Sequence, residues 1–411
     1  MVASFNKSYP AYLKFVFILS LLVCALSTQA QTDSASKADK GTKWYGSVSI
    51  RGYAQVRYNR LLETNSALKN EQGDRSMGEN GGFFLRRIRV IFFGQISKRV
   101  YFYLQPDFAS SASSNSLHFG QIRDAYFDLG LDAKNEFRVR VGQSKIPYGF
   151  ENMQSSQNRL ALDRTDGINS SFSNERDLGA FFYWAPEKIR KRYAMLVSSG
   201  LKGSGDYGVF GFGAFNGQTA NRPEANNTQH WVARLSYPLQ VGKQIIEPSI
   251  QGYTGKYVLT TDQASAGAKI AADRNYLDQR MAASFVLYPQ PFGIQAEYNV
   301  GRGPGFNKLT DSVEVRNLNG GYVMFLYLKR IKGQVIIPFT RFHYYNGGKK
   351  HELDARMYRV RELEVGFEWQ PVSKFELVCH YTISSRRFED FARQDNLQRG
   401  NLLRIQAQIN F

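Results

Sequence analysis

Two stretches of the chain set arginines at every second position among apolar residues: Arg87 and Arg89 in FFLRRIRVIFFG, and Arg138 and Arg140 in EFRVRVG. In an extended strand successive side chains point to opposite faces, so Ile88, Val90 and Phe92 share one side while Arg87 and Arg89 share the other. Two architectures house such a strand. A soluble sandwich buries the apolar face against a second sheet, whereas a membrane barrel shows that face to lipid and turns the arginines toward a wet lumen.

The N-terminus bears on that choice. A basic start with Lys7 and Lys14, an apolar run from Phe15 to Leu26 and the small-residue exit Thr28-Gln29-Ala30 read as a secretory signal peptide over residues 1–30, with cleavage before Gln31. Cys24 does not make a lipoprotein signal, because Val23 stands where a small residue is wanted. Removing thirty residues from 411 leaves 381, and losing Lys7 and Lys14 takes the formal charge from +18 to +16. Export argues against nucleic acid as the partner of that charge and leaves an anionic membrane surface or anionic solutes. Cys379 is the one cysteine after cleavage, so neither an intrachain disulfide nor a thiolate cluster can form. Beyond the signal nothing approaches the ~18 consecutive apolar residues of a membrane helix.

From Tyr45 to Phe411 strand-like segments recur with period-two alternation, separated by Gly, Asn, Asp, Ser and Pro clusters. In SVSIRGYAQVRYN one face carries Val48, Ile50, Ala54, Val56 and Tyr58, and the other Ser47, Ser49, Arg51, Gln55, Arg57 and Asn59, with Tyr53 the one aromatic on the polar side. Roughly sixteen such segments at about 24 residues each suit ten-residue strands joined by alternating short turns and long loops. No helical period of useful length is visible. The expectation is an all-β chain: a mobile N-terminal lead over 31–43, then one transmembrane antiparallel β-barrel of about sixteen strands over 44–411. The closing NLLRIQAQINF puts Leu403, Ile405, Ala407, Ile409 and Phe411 on one face, and it resembles the terminal strand signal by which outer-membrane barrels are recognised for assembly.

An ordered set of segments resembles a known family, the phosphate-selective porins O and P: FFLRRIRVIFFGQI, YFYLQPDFA, IRDAYFDL, FRVRVGQSKIPYGFE and SFSNERDLGAFFY, then GFGAFNG, HWVARLSYP and GYTGK, and finally IIPFTRFHYYNGG with VRELEVGFEWQP and the closing Phe. The resemblance implies a sixteen-stranded, trimeric barrel in the outer membrane of a Gram-negative bacterium, with anions diffusing through each subunit's own pore. It also implies a long loop folded inward as a constriction. Here that loop falls within Lys145 to Arg176 and contains Lys145, Arg159, Arg164 and Arg176.

The candidate pore-lining, anion-binding residues are therefore Arg51, Arg57, Arg87, Arg89, Arg138, Arg140, Lys145, Arg159, Arg164 and Arg176. Guanidinium stays charged at neutral pH and offers forked donors to phosphate or carboxylate oxygens. Facing one of these arginines to lipid would cost ~2–4 kcal/mol at mid-bilayer, which sets the register with Ile88, Val90, Val139 and Val141 outward. Arg86 then falls on the outward face and is expected to snorkel at the interface. Structural pairing competes with the anion-binding reading, because Asp107, Asp124 and Asp128 lie on polar faces, as do Glu297, Glu362, Glu364 and Glu368. Arg341 is expected inward.

The five histidines are scattered without metal-ligand spacing, and no phosphate cradle or nucleophile elbow stands in context, so no enzyme, cofactor or metal site is expected. The function read from the sequence is passive, anion-preferring diffusion of small solutes, with phosphate or polyphosphate as candidates. A non-selective general porin, a non-conducting adhesin or scaffold barrel, and an exported soluble sandwich remain as alternatives.

Overall fold

The computed structural model describes residues 44–62, 82–110 and 118–411. The signal peptide and mobile lead expected over 1–43 lie outside the described residues. Sixteen antiparallel strands follow one another in chain order: β1 Ser49–Leu62, β2 Gly82–Gln95, β3 Val100–Ser110, β4 His118–Gly130, β5 Phe137–Lys145, β6 Arg176–Trp184, β7 Phe210–Phe215 and β8 His230–Ser236, which resumes over Leu239–Val241. Then come β9 Gln244–Val258, β10 Asn275–Leu287, β11 Phe292–Asn307, β12 Ser312–Tyr327 with its continuation Lys329–Ile331, β13 Gln334–Gly348, β14 Met357–Val372, β15 Phe375–Glu389 and β16 Asn396–Asn410. Each pairs with its neighbour in sequence, and β1 also pairs with β16, so the sheet closes into a barrel. Phe411 completes the seam by exchanging backbone hydrogen bonds with Gly52 at 2.8 and 3.0 Å.

Closure gives the alternation its two destinations. Along β14 Leu363, Val365 and Phe367 stand exposed on the outside, while Glu362, Glu364 and Glu368 are buried inside. In β2 and β5 Arg87, Arg89, Arg138 and Arg140 point inward, and Ile88, Val90, Val139 and Val141 outward, as the lipid cost requires. No helix among the described residues is long and apolar enough to cross a membrane.

Two features depart from the sequence reading. The alternation is interrupted at Arg86: Gln55 pairs with Arg87 and Val56 with Leu85, so Arg86 is the extra residue of a bulge and lies half-buried next to Arg87. A 12-residue helix, Glu187–Ser198, also occupies the connection from β6 to β7. Its Ile189, Tyr193 and Leu196 are buried at i, i+4, i+7 spacing, a period too short to stand out among strands. These side chains join Phe150, Leu160 and Ile168 and the inward Met324, Leu326, Ile337 and Phe339 of β12 and β13 in the largest apolar core. That core sits inside the barrel, toward the end with the short turns.

Candidate functional site: a loop across the barrel interior

The segment 146–175 joins β5 to β6 and contains two single-turn helices, Phe150–Met153 and Asp166–Asn169. It enters through Gly149, whose φ of 79° lies in the left-handed region, and a Cβ there would meet Ile168 Cγ2 at 2.4 Å. From there it touches inward residues on strands around most of the barrel. The backbone amides of Phe150 and Glu151 donate to the Glu297 carboxylate of β11 at 2.6 and 2.7 Å, and Asn299 Nδ2 donates to Gly167 O at 2.6 Å. Gly167 lies so close to β12 that a Cβ would come within 2.8 Å of the Gly320–Gly321 backbone.

On the side of β13, β15, β16 and β1 the loop supplies acids and the wall supplies arginines. Glu151 pairs with Arg341, whose Nε also bonds Glu364. Asp163 pairs with Arg57 at 3.1 Å and with Arg404, and its carbonyl accepts from Arg341 at 2.9 Å. Asp166 pairs with Lys349 at 2.6 Å and Arg386 at 2.8 Å. Burial would raise the pKa of Asp166, but Arg386 and Lys349 outweigh it and hold the group well below the usual carboxylate range.

On the side of β2 to β6 the wall neutralises itself. Arg89 pairs with the directly opposite Asp107 at 2.8 Å, Arg140 with the directly opposite Asp128 at 2.7 Å, and Arg176 with Asp124 at 2.9 Å. Arg138 reaches Asp206 at 2.9 Å. From the loop Glu175 joins this network, with Arg164 at 2.6 Å and Arg176 at 2.8 Å. Burial opposes its ionisation, yet Arg164, Arg123 and Arg176 hold its pKa well below the ordinary value. Arg123 escapes sequence detection because it occupies a second bulge, where Gln105 pairs with Asp124 and Pro106 with Ile122, so Arg123 is buried alongside Asp124 instead of facing out.

Four of the ten candidates have no carboxylate partner among the described residues: the exposed Arg51, which lies over the Phe93 ring, and three whose donors go to neutral oxygens. Arg87 donates to Gln55 Oε1 at 2.9 Å, Lys145 to the carbonyls of Met153 and Gln154 at 2.8 and 2.7 Å, and Arg159 to Leu162 O at 3.2 Å. All three are buried. Burial and then the nearby Arg164 push the Arg159 pKa well below that of free arginine, so this is a destabilised cation. Gln55 and Arg89 both bond Ser156, at 3.2 and 3.1 Å, which places this stretch of the loop against the wall that carries Arg87.

Beside this wall a cavity of about 700 Å³ extends from the loop toward the short-turn end. Arg51, Arg138, Arg140, Lys145 and Arg176 line it together, whereas Arg57, Arg87, Arg89, Arg159 and Arg164 do not. Nine of its lining residues are basic and four acidic, so its walls carry an excess of positive charge. Tyrosines complete the lining: Arg140 lies 4.0 Å from the Tyr126 ring centroid and 5.8 Å from that of Tyr207. Tyr126 was detectable, since it alternates between Asp124 and Asp128 on the inward face; Asp206 and Arg190 lie in a connection and on a helix, where alternation has no reach.

The fold also gathers His343, Glu362 and Glu364, with potential ligand atoms within 4.8 Å of one another, although their sequence spacing gives no metal signal. The carboxylates are already engaged, Glu362 by His343 at 2.8 Å, Ser384 at 2.6 Å and Arg386 at 3.0 Å, and Glu364 by Arg341. Such guanidinium partners disfavour a metal cation.

A sequence profile described as phosphate-selective porin O and P matches residues 65–411. No curated protein gives a match. Among solved structures, the outer membrane channel DcaP of Acinetobacter baumannii aligns with a TM-score of 0.53 at 12% identity, covering 89% of this chain and 97% of that one. Salmonella typhi OmpF, in complex with daunomycin, gives 0.54 at 13% identity with the same coverages. OmpT of Vibrio cholerae gives 0.51 at 9%, again covering 89% and 97%. At these identities the likeness shows a shared fold.

Proposed function

Because the chain belongs to the phosphate-selective porin O and P family and is an outer-membrane diffusion channel, we propose that it passes small solutes with a preference for anions, through a passage along β2 to β6. The observation that carries this reading is the excess of basic over acidic side chains around the cavity, with Lys145 on its wall lacking a carboxylate partner among the described residues. In a lumen less polar than bulk water, such charge concentrates anions and repels cations, and added salt screens the effect. The loop 146–175 acts as the constriction. Phosphate or polyphosphate is the solute proposed, since paired N–H donors of arginine match its oxygens.

The proposal extends to the assembly and the leader: a homotrimer with one pore per subunit, and a mature chain starting at Gln31 after signal-peptide cleavage. The selectivity test is the reversal potential of the purified protein in a planar bilayer under a potassium chloride gradient. Anion preference is expected; cation preference overturns the reading. Millimolar phosphate is expected to block the chloride current, and absence of block reduces the protein to a general anion-preferring porin.

A further inference from the structure

We propose that the outer wall of the barrel, at the rim away from the short turns, carries a binding site for a phosphorylated lipid headgroup. It is distinct from the pore and independent of its selectivity. Arg359 of β14 lies directly opposite Arg387 of β15, and one step further from the rim Arg361 of β14 and Arg399 of β16 flank Ser385. By alternation all four face outward, with the exposed apolar side chains of the same strands. Like charges directly opposite one another destabilise a sheet. Asp395 takes up Arg387 at 3.2 Å, while Arg359 has no carboxylate within ion-pair distance among the described residues, so Arg359 is the charge that calls for an anion from outside.

A cavity of about 670 Å³ meets two of these arginines, Arg359 and Arg387. It lies between Arg359 and Arg387 and the outer part of the β11–β12 hairpin, which contributes Arg302 and Arg316. The two acids in its lining are occupied: Glu389 pairs with Lys308 at 2.8 Å, and Glu314 accepts from Thr310 and Ser312 at 2.8 and 2.6 Å. Arg302 and Arg359 have no carboxylate within ion-pair distance among the described residues, and Arg316 donates only to the carbonyl of Phe306. Four guanidiniums converging on one cavity suit the several oxygens of a phosphate.

What lies next along the same outward rows selects a lipid over a free ion. Below Arg361 come Leu363 and Val365, below Ser385 comes Ile383, and below Asn346, which also lines the cavity, Phe342 follows Tyr344; Val365 and Ile383 are each 50% exposed. This is the apolar belt that meets acyl chains. A ligand with its phosphate in the cavity would lay its chains along that belt, so charge and apolar surface are met by one molecule.

The test uses the full-length barrel in a neutral detergent. Native mass spectrometry measures retention of diphosphorylated lipid A, of the same lipid with its phosphates removed, and of inorganic phosphate. One diphosphorylated lipid is expected per chain, with weaker retention of the dephosphorylated form. The double variant Arg359→Gln, Arg387→Gln is expected to lose at least about tenfold in affinity, the effect of removing one or more charge-assisted hydrogen bonds. Unchanged channel conductance in a bilayer shows that the variant is assembled. Equal retention of the dephosphorylated lipid, affinity in the variant within about twofold of the parent, or displacement of the lipid by equimolar inorganic phosphate each overturns the proposal.

Discussion

Both sides of the lumen carry buried arginines and use them differently. Along β2 to β6 the acids that neutralise arginines belong to the wall, as with Asp107 opposite Arg89 and Asp128 opposite Arg140. Around β13, β15, β16 and β1 the wall arginines Arg341, Arg386, Arg404 and Arg57 draw on loop acids Glu151, Asp163 and Asp166. The apolar side chains of the helix Glu187–Ser198 pack inside the barrel against β12 and β13, on that same far side. One side therefore holds the loop, and the other, with its self-neutralised wall and its cavity, is left for solute.

The most damaging test of this asymmetry removes the clamp. Asp163→Asn with Glu151→Gln breaks the loop's ion pairs to Arg57, Arg341 and Arg404, Arg341 keeping Glu364, at up to about 3–5 kcal/mol for each broken pair. The loop is expected to leave the lumen, with single-channel conductance rising about twofold or more and thermal stability falling. Conductance unchanged from the parent would mean that the hydrogen bonds to Glu297 hold the loop without its acids.

Next in size is Lys145→Glu, which reverses a charge on the cavity wall. The reversal potential is expected to move toward the cation side by tens of millivolts under a tenfold salt gradient, since full selectivity corresponds to about 59 mV for a monovalent ion. A smaller contrast separates paired from unpaired cations. Arg159→Gln removes a destabilised buried charge and is expected to leave thermal stability within about 1 kcal/mol of the parent. Arg89→Gln takes the nearer partner from Asp107, leaving Arg123 at 3.7 Å, and is expected to cost about 2–3 kcal/mol. Equal losses by calorimetry would remove the distinction.

The smallest effect is that of acid. Asp166 and Glu175 titrate below the usual carboxylate range in the folded barrel, so the stability they contribute is present above their unfolded pKa values near about 4 and is lost as pH falls through the lower folded values. Conductance is expected to stay constant from pH 7 to about 4 and to rise only below that. An opening transition at about pH 5 to 6 would place control in groups other than these two carboxylates.

Much of the fold was legible because alternation in a strand is a local property. It separated Arg87 from Ile88 and Arg138 from Val139, and placed the acids Glu362, Glu364 and Glu368 inside with the arginines. It failed at Arg86 and Arg123, where a bulge adds one residue and shifts the phase, and at the helix Glu187–Ser198, where three buried positions are too few to declare a period. The candidate site was legible only as a set of residue types. All ten candidates are basic, but five share the cavity, four have no carboxylate partner among the described residues, and the other six are held in ion pairs.

The amino-acid sequence alone determined the class of the fold and the facing of its strands, because the cost of a guanidinium in hydrocarbon acts on each strand separately and leaves one admissible register. The tertiary structure decided which arginines are neutralised and where the passage runs. Those outcomes depend on which strands lie side by side, on the two bulges, and on where the loop's acids land across the lumen, and charges from distant parts of the chain interact only after closure brings them within a few ångströms.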